Sequence, residues 1–286
     1  MAAVSVIIPT YNRATLLPRA ISSVLNQTFQ DLELLIVDDC SKDDTARLVT
    51  EFADPRIRYL RQDVNLGCSA GRNRAIALSK GAYIAFLDDD DEWLPQKLEI
   101  QVERMERGSP KLGLVSAAYL RVNAADGKII SLRVPSARGY AFNELSRANC
   151  LGPPSVVVIK RACFEQVGGF DENLRGFNDY DMWIRIARQF HVDCVERPLV
   201  KYYVHRVRIS TNPEIMSAGV DKMLAKHPTL PIGKYLSHAA TLAGMAYCEL
   251  GNRRESRKAF LKAIRLAPLT LKHYLIFALA LLGPRC

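Results

Sequence analysis

The chain has 286 residues, of which 49% are hydrophobic and 24% are charged, and its net charge is +9. This length leaves room for one large α/β domain and a small appendage, and the composition is that of a soluble globular protein. Residues 201–286 hold 14 Lys and Arg against 4 Asp and Glu, whereas residues 1–200 are close to neutral. A basic tail favours an anionic membrane surface or an acidic partner. No helix-turn-helix, zinc-finger or RNA-binding motif occurs, so no nucleic-acid partner is expected.

The cysteines and the apolar runs indicate the compartment. Seven cysteines are scattered without a CxxC pair, which argues against a disulfide framework or a zinc site and for a reducing cytosol. No secretory signal precedes the first strand-like segment. The longest apolar run, Tyr274–Leu282, has nine residues, well short of the roughly 20 that a spanning helix needs. We therefore expect a cytoplasmic protein, with peripheral contact at the inner face of the cytoplasmic membrane left open.

Segments of strand-like and helix-like composition alternate from residue 4 to about residue 116. The predicted strands are Val4–Ile8, Leu32–Val37, Ile57–Leu60, Tyr83–Leu87 and Leu112–Ala117. The predicted helices are Thr15–Asn26, Asp43–Phe52, Ala70–Lys80 and Pro95–Glu106. This alternation predicts right-handed crossovers and an α/β fold with a doubly wound, mostly parallel sheet. The more irregular residues 118–175, with the strand-like run Ser155–Ile159, predict mixed or antiparallel strands.

Polar loops follow three of the predicted strands. Pro9–Arg13 follows the first strand, Asp38 and Asp39 end the second, and Asp88–Asp91 end the fourth. The carboxyl ends of parallel strands meet at one edge of the sheet, where open α/β sheets bind their ligands. The sequence therefore predicts a ligand site at this edge.

The four adjacent acids Asp88–Asp91 indicate which ligand to expect there. Neighbouring carboxylates repel one another and cannot be buried without a cation. Ligands that are all oxygen suit a hard ion such as Mg²⁺ or Mn²⁺. An acidic helix N-terminus, in which Asp91 and Glu92 complement the helix dipole, is the alternative. The second acidic site at Asp38 favours the metal.

A further helix is predicted from about Tyr180 to Phe190, because four of its apolar residues recur at helical spacing on one face. Continuing that face towards the N-terminus places Asp179 at the helix start, on the inward side. Asp181 and Arg185 fall on another face as an i,i+4 pair. In the alternative, Asn178 caps the helix and Asp179 only complements its dipole.

The tail after residue 210 has the pattern of helix pairs with basic flanks. The segment Leu242–Gly251, followed by Ala259, Phe260, Ala263 and Pro268, resembles one tetratricopeptide-type helical hairpin. Because repeat arrays need about three units to be stable alone, we expect a helical appendage rather than a free-standing scaffold.

Six cations precede the apolar run Tyr274–Leu282 in this tail. They are Arg253, Arg254, Arg257, Lys258, Lys262 and Arg265. Cations followed by an apolar patch resemble an interfacial membrane anchor. Packing of the apolar run onto the catalytic domain is the equally weighted alternative.

Over about residues 4–210, these motifs in this order strongly resemble the family 2 glycosyltransferases, which have the GT-A nucleotide-sugar-binding fold. The resemblance implies a GT-A domain at 1–210 and a helical, basic appendage at 211–286. It further implies inverting, metal-dependent transfer of a sugar from a nucleoside-diphosphate sugar, with a UDP-sugar expected. The acceptor would be a hydroxyl of a glycan or lipid-linked molecule in bacterial polysaccharide biosynthesis, and the cofactor Mn²⁺ or Mg²⁺.

The resemblance also assigns roles to individual residues. It implies nucleotide binding by Pro9, Thr10, Tyr11, Asp38, Asp39, Arg72, Asp88 and Asp89. It implies metal binding by Asp90 and His205, and a catalytic base at Asp179. A helix-surface Arg72 and a structural His205 are the alternatives to two of these roles. The sequence departs from the family pattern where Asn178 replaces Glu and Cys40 replaces Gly.

Two other classes of protein compete with a glycosyltransferase. A non-catalytic scaffold built on a degenerate transferase domain would not need to retain every acid of the motifs. A nucleotidyltransferase would carry an early glycine-rich loop, but Pro9–Arg13 contains no glycine. The absence of GxGxxG and Walker-type loops disfavours dehydrogenases and P-loop enzymes.

Overall fold

The computed structural model of the protein describes residues 2–205 and 211–282. These residues fall into two compact units. The first comprises Met1–Leu145, Cys150–Glu172 and Asn178–Val204, and the second comprises Ser146–Asn149, Asn173–Phe177 and His205–Cys286. The domain boundary expected at residue 210 remains a prediction.

The strands of the first unit are β1 (Val4–Thr10), β2 (Leu32–Asp38), β3 (Ile57–Arg61), β4 (Tyr83–Phe86), β5 (Glu92–Trp93), β6 (Leu112–Asn123), β7 (Ile129–Arg133), β8 (Val158–Lys160) and β9 (His191–Val204). Its helices are α1 (Leu17–Leu25), α2 (Thr45–Glu51), α3 (Cys68–Leu78), α4 (Lys97–Glu106), α5 (Phe142–Leu145), α6 (Arg161–Val167) and α7 (Asn178–Ala187). The second unit contains α8 (Pro213–Lys226), α9 (Gly233–Glu249), α10 (Arg253–Leu266) and α11 (Leu271–Leu282).

In the described ranges, the strands form one nine-stranded sheet in the order β3-β2-β1-β4-β8-β6-β9-β5, with β7 paired to β6. The neighbours β3, β2, β1 and β4 are all parallel, and β6 is parallel to β9. Strand β8 is antiparallel to both β4 and β6. The parallel half therefore places the carboxyl ends of β1, β2 and β4 at one edge, as the alternating pattern predicts.

The centre of the sheet is the core of the first unit. Every residue of β2 is buried, and in β1 only Pro9 is partly exposed. Such continuous runs of Val, Ile and Leu are typical of strands covered on both faces by helices. Helix α1 covers this core through its apolar face, which includes the fully buried Leu17 and Ile21.

Each predicted strand and helix from residue 4 to residue 117 is present, with ends that shift by a few residues. The exception in extent is β6, which continues to Asn123, six residues beyond its predicted end at Ala117. The antiparallel strands expected in 118–175 are confirmed by β7 and β8. Of the strand-like run Ser155–Ile159, only Val158 and Ile159 lie in a strand, because Pro154–Val156 form a 3₁₀ turn before β8 begins at Val158.

The second unit confirms a helical appendage. Helices α9 and α10 form the predicted hairpin, joined at Gly251, whose φ of +74° favours glycine. A Cβ at Gly244 would lie 2.9 Å from the Phe260 ring, so glycine permits the close packing of these helices. In α11, both ring nitrogens of His273 contact hydroxyls of α9, with Ser237 at 3.0 Å and Thr241 at 2.9 Å.

The structure bears on two expectations from the sequence, the state of the cysteines and the lack of a membrane-spanning helix. Five cysteines, Cys40, Cys68, Cys150, Cys163 and Cys194, are free thiols as expected, whereas Cys248 is disulfide-bonded, which was not expected. Across residues 2–205 and 211–282, no helix has the length and apolar character needed to cross a membrane.

Candidate active site

The three polar loops predicted to meet do meet at the sheet edge. Thr10 at the end of β1 donates its hydroxyl to the Asp89 carboxylate after β4, at 2.8 Å. The backbone carbonyl of Thr10 accepts from the N–H of Asp39 after β2, at 2.9 Å. Residues far apart in sequence are thus brought together because β1 lies between β2 and β4.

Asp38 is fully buried and supports the turn that follows β2. Its carboxylate accepts from the N–H of Ser41 at 2.7 Å and from the Tyr59 hydroxyl. Burial, and then the hydrogen bond to Asp38 and its charge, raise the pKa of Tyr59 well above its ordinary value of 10.0. Both oxygens of Asp38 are therefore engaged inside the protein, and nucleotide binding by this residue remains a prediction.

Asp39 organises the loop that precedes α3. One carboxylate oxygen accepts from Gln62 at 2.6 Å and from the N–H of Leu66 at 2.7 Å. The other accepts from the N–H of Gly67 at 2.7 Å, where a φ of +89° requires glycine. Asp39 is 6% exposed, so it keeps a solvent-facing edge that Asp38 lacks.

The residue between this acid pair and the loop is conformationally unusual. Cys40 has a φ of +68°, in the left-handed region that glycine adopts most easily. The glycine typical of the family at this position therefore has a structural explanation, and Cys40 keeps the same turn without it. Its thiol lies 3.2 Å from the carbonyl of Asp63.

The acids after β4 lie in two different environments. Asp88 and Asp90 are partly exposed, at 29% and 18% of their side chains. Asp91 is fully buried, with its carboxylate bound by the Ser155 hydroxyl at 2.5 Å and the N–H of Tyr203 at 3.0 Å. Asp91 therefore belongs to the support of the loop, while Asp88 and Asp90 face the site.

Burial and mutual repulsion raise the pKa values of the two inner acids. For Asp89, burial and then the charge of Asp90 raise the pKa to about 7, although the hydroxyl of Thr10 and the charge of Arg13 lower it. For Asp91, burial and the neighbouring acids raise the pKa well above its ordinary value. Crowded carboxylates of this kind are stabilised by any cation that neutralises them.

Arginines from α1 and the loop before it bracket Asp90. Arg13 forms an ion pair with the Asp90 carboxylate at 3.2 Å. Arg19 donates to the backbone carbonyl of Asp90, and its guanidinium lies 3.6 Å from the centre of the Tyr203 ring. Neither arginine was assigned a role from the sequence, and only the inclusion of Arg13 in the first polar loop pointed to it.

Arg72 is a buried residue, so its alternative as a helix-surface arginine was wrong. It is 4% exposed, and its guanidinium donates to the Asp88 carboxylate at 2.7 Å. The guanidinium carbon lies 5.9 Å from the ring centre of Phe86 and 5.3 Å from that of Phe170. The Nε atom of Arg72 is a buried donor without a hydrogen-bond partner in the described structure, which leaves it available to a ligand.

Asp179 lies in the first turn of α7, and the charges of Arg72 and Asp88 both act on its carboxylate. Burial raises the pKa of Asp179, the N–H of Tyr180 and the charge of Arg72 lower it, and the charge of Asp88 raises it again. The adjacent Asn178 binds the start of α3, donating its amide to the Ser69 hydroxyl at 2.8 Å. This contact fixes the beginning of α7 beside the beginning of α3, the helix that carries Arg72.

The predicted pair of Asp181 and Arg185 exists, with 2.9 Å between the guanidinium Nε and the carboxylate. Asp181 is fully buried, whereas the sequence indicated an ordinary pair on a face away from the core. Arg185 also donates to the carbonyls of Val167 at 2.7 Å and Gly169 at 2.8 Å, and this pair therefore fastens α7 to the end of α6.

The remaining predicted site residues differ in how they are placed. Tyr11 is 42% exposed at the site edge, where a planar ligand can stack on it. Pro9, the next-to-last residue of β1, is partly buried. His205 follows the last residue of β9 and belongs to the second unit, so its metal role remains a prediction.

The carboxylates of the site fit a divalent cation whose remaining coordination positions would be filled by a bound ligand. Within residues 2–205 and 211–282 there is no group of three or more His, Cys, Asp or Glu placed to hold a metal by itself. Mg²⁺ and ions like it are commonly held by one or two carboxylates together with substrate phosphates. The partly exposed Asp88 and Asp90, crowded by two acids of raised pKa, provide that chemistry.

Solved structures with similar folds define the class of protein. TarS from S. aureus, in complex with UDP-GlcNAc, matches with a TM-score of 0.64 and 16% identity over 93% of this chain and 81% of that one. The mannosyltransferase PcManGT from Pyrobaculum calidifontis, in complex with GDP-Man and Mn²⁺, matches with a TM-score of 0.60 and 21% identity over 99% and 81% of the two chains. The fold is GT-A, as the sequence predicts.

Sequence comparisons identify the family. Residues 5–139 match the family model described as glycosyl transferase family 2. The putative colanic acid biosynthesis glycosyl transferase WcaA of Escherichia coli K12 is 34% identical over 65% of this chain and 67% of its own length. The UDP-Glc:alpha-D-GlcNAc-diphosphoundecaprenol beta-1,3-glucosyltransferase WfgD of Escherichia coli is 31% identical over 73% and 80%. The chain belongs to glycosyltransferase family 2, and it is an enzyme of that family.

Proposed function

We propose that the protein is an inverting, metal-dependent transferase that moves a sugar from a nucleoside-diphosphate sugar to a hydroxyl of a glycan or lipid-linked acceptor. The observation that carries this proposal is the position of Arg72, which forms an ion pair with Asp88 and whose charge also acts on Asp179. The proposed base and the proposed phosphate-side acids thus lie around one buried cation. UDP-sugars are the preferred donors because WfgD and TarS carry UDP-linked substrates in their names or complexes.

Asp179 is the proposed general base. It takes the proton of the acceptor hydroxyl as that oxygen forms a bond to the anomeric carbon. The bond from the anomeric carbon to the diphosphate breaks with its electron pair leaving on the diphosphate, and a single displacement inverts the configuration. Burial raises the pKa of Asp179, which makes its carboxylate a stronger base than an exposed aspartate.

Arg72 and the acids after β4 act on the leaving group. The Arg72 guanidinium, with its unpartnered Nε, is suited to bind a departing diphosphate oxygen. Asp90 would hold the Mn²⁺ or Mg²⁺ that neutralises the charge on the leaving diphosphate, and a metal role for His205 stays a prediction. Tyr11 and Asp39 are the residues we assign to the nucleoside, by stacking and by accepting base or ribose hydrogen bonds.

The names of the relatives suggest the pathway. WcaA is named for colanic acid and WfgD for a lipid-linked diphosphate acceptor. We infer that this protein works in bacterial polysaccharide biosynthesis, on the cytoplasmic side of the membrane that carries such acceptors.

Peripheral membrane contact is proposed through α11. Leu271, Leu275 and Leu279 recur at i, i+4 and i+8 on this helix and are 81%, 62% and 61% exposed. Arg253 and Arg254 on α10 are exposed as well. An exposed apolar helix face with nearby cations is the chemistry of an interfacial anchor, and it argues against the alternative in which this whole run is packed away.

Thermal unfolding with a panel of nucleoside diphosphates, each with Mn²⁺ or with EDTA, tests the proposed function. A ligand at about 100 times its Kd stabilises the folded state by about 2.7 kcal/mol, which is a readily measured rise in Tm. We expect UDP to raise the Tm with Mn²⁺ and to have little effect with EDTA. No response to any nucleotide, or equal responses with EDTA, would contradict the proposal.

A further inference from the structure

The helix that carries the proposed base is preceded by a short segment of the second unit. Residues Asn173–Phe177 group with α8 and α9, whereas Glu172 before them and Asn178 after them belong to the first unit. The chain passes directly from Phe177 to Asn178, the first residue of α7, and Asp179 comes next. The backbone that leads into the proposed base is therefore part of the same compact unit as the C-terminal helices.

Phe177, the last residue of this segment, has a backbone conformation that bulky side chains disfavour. Its φ is +63°, in the left-handed region that such residues rarely adopt. A conformation of this kind persists only where the surrounding structure enforces it, and it is found most often at functional sites. The contacts of the Phe177 ring show what enforces it here.

Helices α8 and α9 hold the segment at both of its ends. A Cβ at Gly219 of α8 would lie 2.9 Å from Cδ2 and 3.1 Å from Cε2 of the Phe177 ring, so only glycine leaves room for that ring. The Tyr235 ring of α9 meets the Phe177 ring edge-on, with 6.5 Å between the ring centres. At the other end, Lys222 of α8 donates to the backbone carbonyl of Asn173.

In the first unit, helix α3 fixes the residues that flank the segment. Asn73 donates its amide to the Glu172 carboxylate at 2.8 Å. Asn178 donates its amide to the Ser69 hydroxyl, also at 2.8 Å. With both flanks held, the backbone of Phe177 sets the direction in which α7 begins.

We infer that Phe177 is a positioning residue for the catalytic base and that α8 holds it in place through Gly219. The C-terminal helices then serve the transfer reaction itself, because they fix the first turn of α7, which contains Asp179. A general base must lie within hydrogen-bond reach of the proton that it takes, and a misplacement of about 1 Å can lower a rate by about 10²-fold. This inference rests on the proposed function, because it takes Asp179 as the base.

A matched pair of glycine variants tests the inference. Gly219→Ala adds a methyl group that displaces the Phe177 ring. Gly244→Ala, on α9, adds the same group 2.9 Å from the Phe260 ring, and its three nearest atoms all belong to Phe260. Both variants disturb a contact between a helix and a ring in the second unit, and both gain the same helix propensity. Calorimetric titration of UDP with Mn²⁺ would count the binding sites and give the affinity, and single-turnover kinetics with a UDP-sugar would give kcat per site.

Gly219→Ala should lose at least about tenfold in kcat per UDP-binding site. It should keep its UDP affinity, because Arg72 and Asp88 lie on α3 and after β4. Gly244→Ala should keep the turnover per site of the wild type. An effect that acts through the base disappears with the base, so Gly219→Ala should cause no further loss in an Asp179→Asn background.

A second variant keeps the inference testable if Gly219→Ala does not fold. Lys222→Met removes the exposed hydrogen bond to the Asn173 carbonyl, and surface substitutions change stability little. Lys258→Met, at an exposed lysine of α10 that pairs with Glu255, is its control. We expect a smaller loss of kcat per site in Lys222→Met, with unchanged UDP affinity, and no loss in the control.

Three outcomes would overturn the inference. Wild-type turnover per site in Gly219→Ala, or an equal loss in Gly244→Ala, would mean that α8 only stabilises the fold. A loss that multiplies with that of Asp179→Asn would place the effect outside the base. A parallel loss of UDP affinity would assign the segment to donor binding. Wild-type turnover in Asp179→Asn itself would instead contradict the proposed function.

Discussion

The Arg72 guanidinium donates to the Asp88 carboxylate at 2.7 Å, and only 4% of the arginine is exposed to solvent. A buried charge of this kind is stable only with its partner in place. Because the same cation also lowers the pKa of Asp179, one side chain connects the proposed leaving-group and base sides of the site.

Replacing this cation should therefore change the pH dependence of catalysis as well as its rate. In Arg72→Met, which keeps apolar packing against Phe170, the pKa of Asp179 loses a lowering influence and rises. A general base acts only when deprotonated, so the acidic limb of the pH–kcat profile should move to higher pH. An unchanged limb beside a reduced rate would show that Arg72 does not act on the base. Arg161→Met, at another arginine that binds backbone carbonyls, is the control.

Asp179→Asn should abolish turnover and spare donor binding. The amide keeps the shape of the side chain but cannot take the acceptor proton, and general-base catalysis contributes about 10²–10⁴-fold to a rate. Single-turnover kinetics with a UDP-sugar would report kcat, and titration of UDP would report donor affinity. Asp181→Asn, at the buried acid paired with Arg185, controls for destabilisation of α7. Turnover within about tenfold of the wild type would mean that another group is the base.

The site acids should make the metal-free protein less stable as the pH rises. The pKa of Asp89 is about 7 in the folded state against an ordinary value of 3.8, so the folded state holds a proton that the unfolded state has lost between these values. Stability from this group is present below about pH 4 and is lost as the pH rises through 7. In EDTA, the free energy of unfolding of Asp89→Asn, measured relative to that of the wild type, should be higher at pH 8 than at pH 4 by on the order of 3 kcal/mol. Urea unfolding at both pH values measures this, and an equal difference at both would contradict the assigned pKa.

The left-handed turn at Cys40 predicts a clear order of stabilities. Cys40→Gly should stay within about 1 kcal/mol of the wild type, because relief of the left-handed strain is offset by the entropy of glycine. Cys40→Val should be destabilised by about 1–2 kcal/mol, because a β-branched side chain suits this conformation least. Urea unfolding would show the order, and a valine variant as stable as the glycine variant would contradict it.

The apolar face of α11 predicts binding to anionic vesicles. Wild-type protein should sediment with vesicles containing anionic lipid and be released by salt, since each surface cation contributes about 1 kcal/mol. Leu271→Ser/Leu275→Ser/Leu279→Ser should remain in the supernatant, whereas Leu78→Ser, at a 41% exposed leucine of α3, should behave like the wild type. Equal sedimentation of the triple variant would leave this helix face without a membrane role.

Periodicity predicted most of the sheet, because β1 and β2 are continuous apolar runs ending in polar residues. It failed at Ser155, where Pro153 and Pro154 begin a turn instead of a strand. The Ser155 hydroxyl accepts from the N–H of Asp88 at 3.1 Å and donates to Asp91 at 2.5 Å. These partners lie more than 60 residues away in the chain, so no local pattern could have indicated them.

In the site, too, local patterns indicated some residues and could not indicate those defined by contacts between distant parts of the chain. Motif residues such as Asp88 and Asp179 could be named from their position after a strand or before a helix. Residues that act through tertiary contact could not, including Arg19 on Tyr203 and the fully buried Lys97, whose Nζ lies 3.9 Å from the centre of the Trp93 ring. An arginine or lysine in a helix pattern gives no sequence signal of burial, because its partner is brought close only by the fold.

Calorimetric titration of UDP in Mn²⁺ and in EDTA, into the wild type and Asp90→Ala, tests the central claim most directly. The claim is that the acids after β4 hold the donor diphosphate through a divalent cation. Asp44→Ala, at an exposed acid immediately before α2 with an arginine partner, is the matched control. We predict that UDP binds the wild type and the control only with Mn²⁺, and that Asp90→Ala loses more than about tenfold, or about 1.4 kcal/mol. Binding of equal strength in EDTA, or full affinity in Asp90→Ala, would contradict the claim.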